Sequence, residues 1–274
     1  MVNTDAARIG GVKEYLRRIG LDSAGPPDLD TLRRLHTAHV AAVPFENLDI
    51  LLGRGISLEL EHLRQKLVVQ RRGGYCFEQN TLFLAVLREL GFTAVAMEAR
   101  VRSGSTVLRP RTHMVLAVQL SGASWLADVG FGGDGLFEPV PMTGEIAVPS
   151  SGVAHRVIEE EDLRVLQMQR GATWEDQYAF ALQPVHPVDF EVGNWFTSTY
   201  PQSPFVRTLT AQRTTREVRY VLRYPNYTEI RASGINTRQI ARAELMPLLR
   251  EVFLIHLPDD TVFPAIDQGE AALC

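Results

Sequence analysis

A thiol, an imidazole and a carboxylate, the groups that cooperate in nucleophilic catalysis, occur along this chain at Cys76, His113 and Asp128. Cys76 has the most informative surroundings. It follows Arg71-Arg72-Gly73-Gly74-Tyr75 and precedes Phe77-Glu78-Gln79-Asn80, after which Phe83, Leu87 and Leu90 recur at helical spacing up to Gly91. The glycine pair admits a sharp turn and a close backbone approach. The periodicity places Cys76 on the first turn of a buried helix, where unpaired N–H groups and the positive end of the helix dipole both favour a thiolate. An ordinary internal cysteine is inert filling; the glycines, the helix start and the neighbouring arginines set this one apart.

Such a thiol needs a base to take its proton and a third group to hold the base in one tautomer. Of the seven histidines, His113 is the best placed, because it opens the apolar strand pattern Met114 to Leu120 and so stands at the mouth of a core. Asp128 lies within Trp125-Leu126-Ala127-Asp128-Val129-Gly130-Phe131-Gly132, where an acid among apolar residues is costly unless hydrogen bonded. Spacing does not by itself join the two. A hairpin turning at Gly122-Ala123 sets His113 opposite Gly132 and Ala117 opposite Asp128, leaving the pair four positions apart. A bulge, a shifted register or a pairing between non-neighbours is needed, and His113 on its own stays open between general base and satisfied core histidine.

Other motifs carry less. Gly130, Gly132 and Gly135 match a dinucleotide-binding pattern, but Pro139 and Pro141 follow too closely for a helix to receive a pyrophosphate. The glycine run reads instead as backbone room for a long substrate beside Asp128. His36 and His39 share one helical face at a spacing that suits a metal, yet no nearby carboxylate or cysteine completes a ligand set, and they read as packing; no metal is expected.

These residues need elements to carry them. Val12, Tyr15, Leu16 and Ile19 form an amphipathic stripe ending at Gly20; Asp30 can cap a second helix through Leu32, Leu35 and Val40; a third follows Ser57 through Leu60, Leu63 and Leu67; the helix of Cys76 is the fourth. Beyond Gly91 the period changes to two. Strands are expected at 95–101, 113–120, 125–129, 155–158, 163–169 and 177–182, a succession that suits an antiparallel barrel or sandwich. After a boundary at Pro184 to Pro187 come a short helix over 189–199, strands near 205–209, 216–223 and 227–232, and a last helix around 242–255 containing Pro247.

With 22% charged and 45% apolar residues and a formal net charge of -4, the composition is that of an ordinary globular protein and implies no nucleic-acid partner. Met1 to Arg8 lacks a signal pattern and no apolar run approaches a membrane span, so the expected compartment is the cytoplasm. Only Cys76 and Cys274 are present, which excludes a disulfide framework; Cys274 reads as a bystander.

The chain resembles the arylamine N-acetyltransferase family in four ordered segments: Val43-Pro44-Phe45-Glu46-Asn47-Leu48, Arg72-Gly73-Gly74-Tyr75-Cys76-Phe77-Glu78-Gln79-Asn80, Thr112-His113, and Asp128-Val129-Gly130-Phe131-Gly132-Gly133. Similarity extends through Glu191-Val192-Gly193-Asn194-Trp195 and Ser203-Pro204-Phe205-Val206. The resemblance implies an α+β fold in three parts, a helical bundle (1–91), an antiparallel β-barrel (92–186) and a C-terminal α/β lid (187–274), of the papain-like and transglutaminase-like kind, with Cys76, His113 and Asp128 as a catalytic triad. It further implies that Phe45, Val101, Phe131 and Phe205 line an acceptor pocket and that Gly132 and Gly133 lie near the path of acetyl-CoA. The implied reaction moves an acetyl group from acetyl-CoA to Cys76 and on to an arylamine, arylhydrazine or N-arylhydroxylamine. Two alternatives stand beside it: an amide synthase that uses the same triad to release or cyclise a thioester-bound polyketide, and a catalytically silent module that keeps the fold to bind a hydrophobic ligand.

Overall fold

Apolar periodicity builds the first layer. The computed structural model describes residues 10–264 and 266, apart from 104, 106 and 151; Cys274 lies outside them. Helix α1 (Val12–Arg18) buries Tyr15 and Leu16, and α2 (Leu29–Ala42) buries Leu32, Leu35, His36 and His39 along one stripe. The cap of α2 is Asp28 rather than the expected Asp30: its carboxylate accepts from the Thr31 backbone N–H at 2.8 Å, which leaves Asp30 inside the first turn. Short elements follow, β1 (Phe45–Glu46), α3 (Leu48–Leu51) and α4 (Leu60–Leu63), the last continuing as a π-helical stretch over Arg64–Val69. Then comes α5 (Cys76–Glu89), with Gly91 beyond its end at φ +89° in the left-handed conformation that stops a helix.

The barrel comprises β2 (Thr93–Val101), β3 (His113–Leu120), β4 (Ala123–Ala127), β5 (Val140–Pro141), β6 (His155–Glu160), β7 (Leu163–Arg170) and β8 (Thr173–Phe180), in the order β5-β4-β3-β2-β8-β7-β6 with every pairing antiparallel. Its edge strands β5 and β6 come into contact and nearly close it. Val115 and Ala117 of β3 pack inside the barrel with Tyr178 and Phe180, while Met114, Leu116 and Val118 pack outward against the helical layer around α5. Burial on both faces explains why β3 reads as a nearly unbroken apolar run.

The β3–β4 hairpin turns at Ser121-Gly122, one residue earlier than expected. Both residues have positive φ, 49° and 81°, the backbone of a two-residue turn that matches strand twist. The register is therefore Leu116↔Ala127, and pairing stops there. Strand β4 covers 123–127 instead of 125–129, and Asp128 is the first residue to leave the ladder.

The C-terminal part contains α6 (Pro187–Thr199), α7 (Pro204–Arg207), β9 (Thr210–Thr214), β10 (Val218–Arg223), β11 (Asn226–Arg231), β12 (Gly234–Gln239) and α8 (Arg242–Glu251). The strand expected near 205–209 is largely α7: the Ser203 hydroxyl accepts from the Phe205 N–H at 3.3 Å and Pro204 starts the turn, a helix-start signal that outweighs the β-propensity of Phe205 and Val206. Strands β1, β5, β9 and β12 have no counterpart among the expected strands. The first matters for the site, because its pairing Phe45↔Gln212 makes a segment of the helical layer the edge of the sheet β1-β9-β10-β11-β12. Leu48, Leu209, Ala211, Leu222, Leu245 and Phe253 fill the core beneath that sheet. Among the described residues no helix is long and apolar enough to cross a membrane.

Candidate active site

Cys76 is the first residue of α5 and follows Tyr75, whose backbone is extended. The turn before it is fastened on both sides: Gly74 N–H donates to Pro44 O at 3.3 Å, Glu46 N–H donates to Gly74 O at 3.0 Å, and Tyr75 N–H donates to Glu78 Oε2 at 3.0 Å. The glycine pair serves the close approach expected of it, and neither glycine has positive φ. A Cβ on Gly73 would stand 2.0 Å from Pro44 O, whereas the residue with positive φ is Arg71, at 56°. Behind the turn lies a buried ionic cluster. Arg72 pairs with Glu46 (2.7 Å) and Asp49 (3.1 Å), and Lys66 pairs with Asp49 and Glu78 (both 2.7 Å).

The Cys76 sulfur is buried, 3.8 Å from Thr112 O, at the end of β3 where His113 begins. His113 Nε2 lies 2.8 Å from Asp128 Oδ2, and the Cys76 side chain is near enough to the ring to favour its protonated form. With Nε2 committed to the carboxylate, Nδ1 is the nitrogen facing sulfur. The register explains the meeting. One step past Leu116↔Ala127, Asp128 would face Val115, so it stands on the same side of the sheet as His113 and only two positions away, within diagonal reach. Leaving the ladder lets its carboxylate cover the remaining distance.

Asp128 is fully enclosed by donors. Oδ1 accepts from Asn80 Nδ2 at 2.9 Å and from Gly130 N–H at 3.0 Å, Oδ2 meets His113, and its own backbone N–H donates to His36 Nε2 at 3.1 Å. Burial works against both charges of the pair. The Asp128 charge and hydrogen bond nevertheless lift His113 to about 10, with Cys76 adding to the effect, while His113, Asn80 and the Gly130 amide hold the Asp128 carboxyl below its ordinary range. His113 is thus an imidazolium at neutral pH. Tyr178 lies against it, ring centroids 4.9 Å apart; its hydroxyl is near enough to Asp128 to interact electrostatically yet meets hydrogen-bond geometry with nothing among the described residues.

The remaining sequence candidates fall in two groups. Phe131 packs edge-on to His113 (5.0 Å) and beside Tyr178 (5.1 Å), and Phe45 contacts Phe205 (5.8 Å). Phe45, Phe131, Gly132, Asp128 and Gln212 line one cavity. Val101 is not on it; it is half-buried at the end of β2, paired with Tyr178. The room left by Gly132 and Gly133 is taken by Gln212, whose Oε1 would lie 2.7 Å from a Cβ on either glycine and which accepts a hydrogen bond from Gly133 N–H. Sequence reasoning gave no role to Asn80, Gln212, Tyr178 or His36. Only Asn80 carried a usable signal, since it lies four residues after Cys76 on the same face of α5; the others arrive from distant strands and helices. Among the described residues no group of three or more His, Cys, Asp or Glu could hold a metal ion.

Comparison with known proteins agrees with this architecture. A family model described as N-acetyltransferase matches residues 28–262. The chain is 39% identical over 261 residues to an arylamine N-acetyltransferase of Mycolicibacterium smegmatis, covering 93% of this chain and 94% of that protein, and 42% identical over 195 residues to the Escherichia coli arylamine N-acetyltransferase, covering 71% and 69%. Among solved structures, the arylamine N-acetyltransferase from Salmonella typhimurium superposes with a TM-score of 0.88 at 32% identity over 95% of this chain and 98% of that one. That of Mycobacterium marinum in complex with CoA gives 0.88 at 33% over 96% and 99%.

Proposed function

Because the chain belongs to the arylamine N-acetyltransferase family, we propose that Cys76 takes the acetyl group of acetyl-CoA as a thioester and passes it to an aromatic amine, with His113 moving the protons and Asp128 holding His113. The reaction class is acetyl-CoA-dependent, cysteine-mediated acetyl transfer. The observation that carries the residue roles is the juxtaposition of three groups: His113 Nε2 lies 2.8 Å from Asp128 Oδ2, and the Cys76 sulfur, at the start of a helix, lies against the carbonyl of the residue before His113.

In the first half-reaction the sulfur attacks the thioester carbonyl of acetyl-CoA, the bond to the CoA sulfur breaks, and the departing thiolate takes a proton from His113 Nδ1. In the second, the amine nitrogen attacks the acetyl carbon on Cys76, its proton passes to His113, and the Cys76 sulfur leaves. Gly74 and Tyr75 amides are occupied by Pro44 O and Glu78 Oε2. Of the four amides from Gly74 to Phe77 at the helix start, those of Cys76 and Phe77 remain to stabilise the oxyanion. Phe45, Phe131 and Phe205 supply an aromatic wall suited to arylamines and arylhydrazines, with Val101 at its margin, and Gly132 and Gly133 border the acetyl-CoA approach. Acetyl-CoA and a free reactive thiol both suit a reducing compartment such as the cytoplasm.

Whole-protein mass after incubation with acetyl-CoA alone tests the reading. A gain of one acetyl group, located on Cys76 and absent from Cys76→Ala, is expected. A folded parent protein that acquires no acetyl group refutes it, and initial-rate lines that intersect instead of running parallel would point to direct transfer in a ternary complex.

A further inference from the structure

Two fully buried histidines one turn apart on α2 take no part in the chemistry above, and each reaches a different half of the site. The Asp128 backbone N–H can only donate, so His36 Nε2 accepts at 3.1 Å; the ring proton must sit on Nδ1, which donates to Phe137 O at 3.2 Å. The Thr37 hydroxyl donates to the same carbonyl at 3.3 Å. The loop 128–137, which carries Phe131 and the glycine run, is thereby clipped at both ends to one helix.

His39 has the opposite tautomer. Gln79 Nε2 donates to Gly74 O (2.7 Å) and Pro44 O (3.3 Å), which turns its Oε1 toward His39 as an acceptor. His39 Nε2–H therefore donates to it at 3.1 Å, while Nδ1 accepts from the Tyr15 hydroxyl at 2.8 Å. Through Gln79 this ring fixes one carbonyl of the turn that precedes Cys76 and one of the segment to which that turn is fastened.

We propose that His36 and His39 are positioning residues, which use three residues of α2, about 4.5 Å of rise, to set the Asp128 loop against the Cys76 turn. This rests on the roles given to Cys76 and Asp128 above. An imidazole suits the task because, when neutral, its rigid ring offers one donor and one acceptor on opposite edges. A charged ring would present two donors, and His36 would then face the Asp128 N–H donor to donor. Burial keeps both rings neutral, holding His36 down to about 4 against the opposing pull of Asp128 and Glu138, and His39 down to about 3.

The test compares His36→Leu, His36→Asn and His36→Gln with the parent for Cys76 alkylation by iodoacetamide between about pH 5 and 9, and for single-turnover acetylation by acetyl-CoA, with circular dichroism on each. Asn keeps a donor near Nδ1 but loses the acceptor for Asp128 N–H; Gln places an oxygen near Nε2. Leu and Asn are expected to slow both reactions at least about tenfold with the KM for acetyl-CoA changed by less than about threefold, and Gln to stay within about threefold of the parent. His39→Leu is expected to slow alkylation similarly, and adding it to Gln79→Leu should cost nothing beyond Gln79→Leu alone, since His39 acts on the turn through Gln79. Folded Asn and Leu variants with the parent's alkylation profile overturn the proposal, as does a Gln variant as slow as Leu; if Leu does not fold, Asn decides. Alkylation needs no acetyl donor, so a parent protein that never acquires an acetyl group overturns the proposed function and leaves this test standing.

Discussion

At the scale of single residues, the site depends on a buried carboxylate that accepts three hydrogen bonds and on one glycine packed closely against Cys76. If Asp128 orients His113 and keeps it charged, Asp128→Asn should slow iodoacetamide alkylation of Cys76 at about pH 6 by at least roughly tenfold, the effect of one pKa unit in the stabilisation of an imidazolium beside sulfur. Superimposable profiles from two folded proteins would reduce the working group to Cys76 and His113. Gly130 makes a second residue-level test. A Cβ there would stand 2.7 Å from Cys76 Cα and 2.9 Å from Asn80 Nδ2, both in a packed interior. Gly130→Ala is expected to cost about 1–3 kcal/mol of stability and to lower kcat by displacing Cys76 or Asn80; wild-type urea midpoint and kcat together would show that the loop can retreat.

At the scale of elements, the turn before Cys76 is held by charges as well as by backbone bonds. Arg72 is almost completely buried between Glu46 at the β1 edge and Asp49 in α3, and Lys66 from the π-helical stretch reaches Asp49 and Glu78. Burial works against the Arg72 cation, but the two carboxylates raise it above its ordinary range. Such a cluster adds little net stability compared with apolar packing, yet removing one member strands the others. Arg72→Met should therefore lower unfolding free energy by about 3–5 kcal/mol and slow Cys76 acetylation, because Glu46 also accepts from Leu48 N–H at 2.7 Å and anchors the strand against which Gly74 pairs. A loss below about 1 kcal/mol in urea unfolding would mean that the backbone bonds alone hold the turn.

For the molecule as a whole, the buried histidines set opposite pH limits. Burial depresses His36, His39 and His155 to about 4, 3 and 4, so they stay neutral in the folded chain while the unfolded chain protonates them near 6.5. Their contribution is complete above that value and is lost as pH falls through the interval below it, with a slope approaching about 4 kcal/mol per pH unit near pH 5 for three protons taken up on unfolding. His113 is the reverse case: raised to about 10, it binds its proton in both states below 6.5, and the stability from its pairing with Asp128 fades as pH rises from there toward 10. Urea midpoints should be highest near pH 6.5 and fall on both sides; equal midpoints at about pH 5 and 6.5 would contradict the neutral assignment of the three rings.

The residues given roles in the proposed chemistry stood out in the sequence because their information is local. A lone cysteine behind two glycines at the start of an apolar period, a histidine opening a strand and an acid at the end of another are each defined within about ten residues of chain, the range over which helical and strand periodicity operate. Helix α5, strand β3 and the change of period after Gly91 were readable for the same reason. What only the tertiary structure decided is how those segments meet. The hairpin turned at Ser121-Gly122 because that pair can hold two successive positive φ angles, and this one-residue difference moved Asp128 from four positions away from His113 to two. Likewise β1 is two residues long and exists because β9 and the Gly74 turn pair with it, and His36, Gln212 and Tyr178 reach the site across sequence separations that no periodicity spans. Non-local contacts depend on register, closure of the barrel and the volume each glycine leaves to its neighbours, quantities that the chain acquires only once its layers have packed.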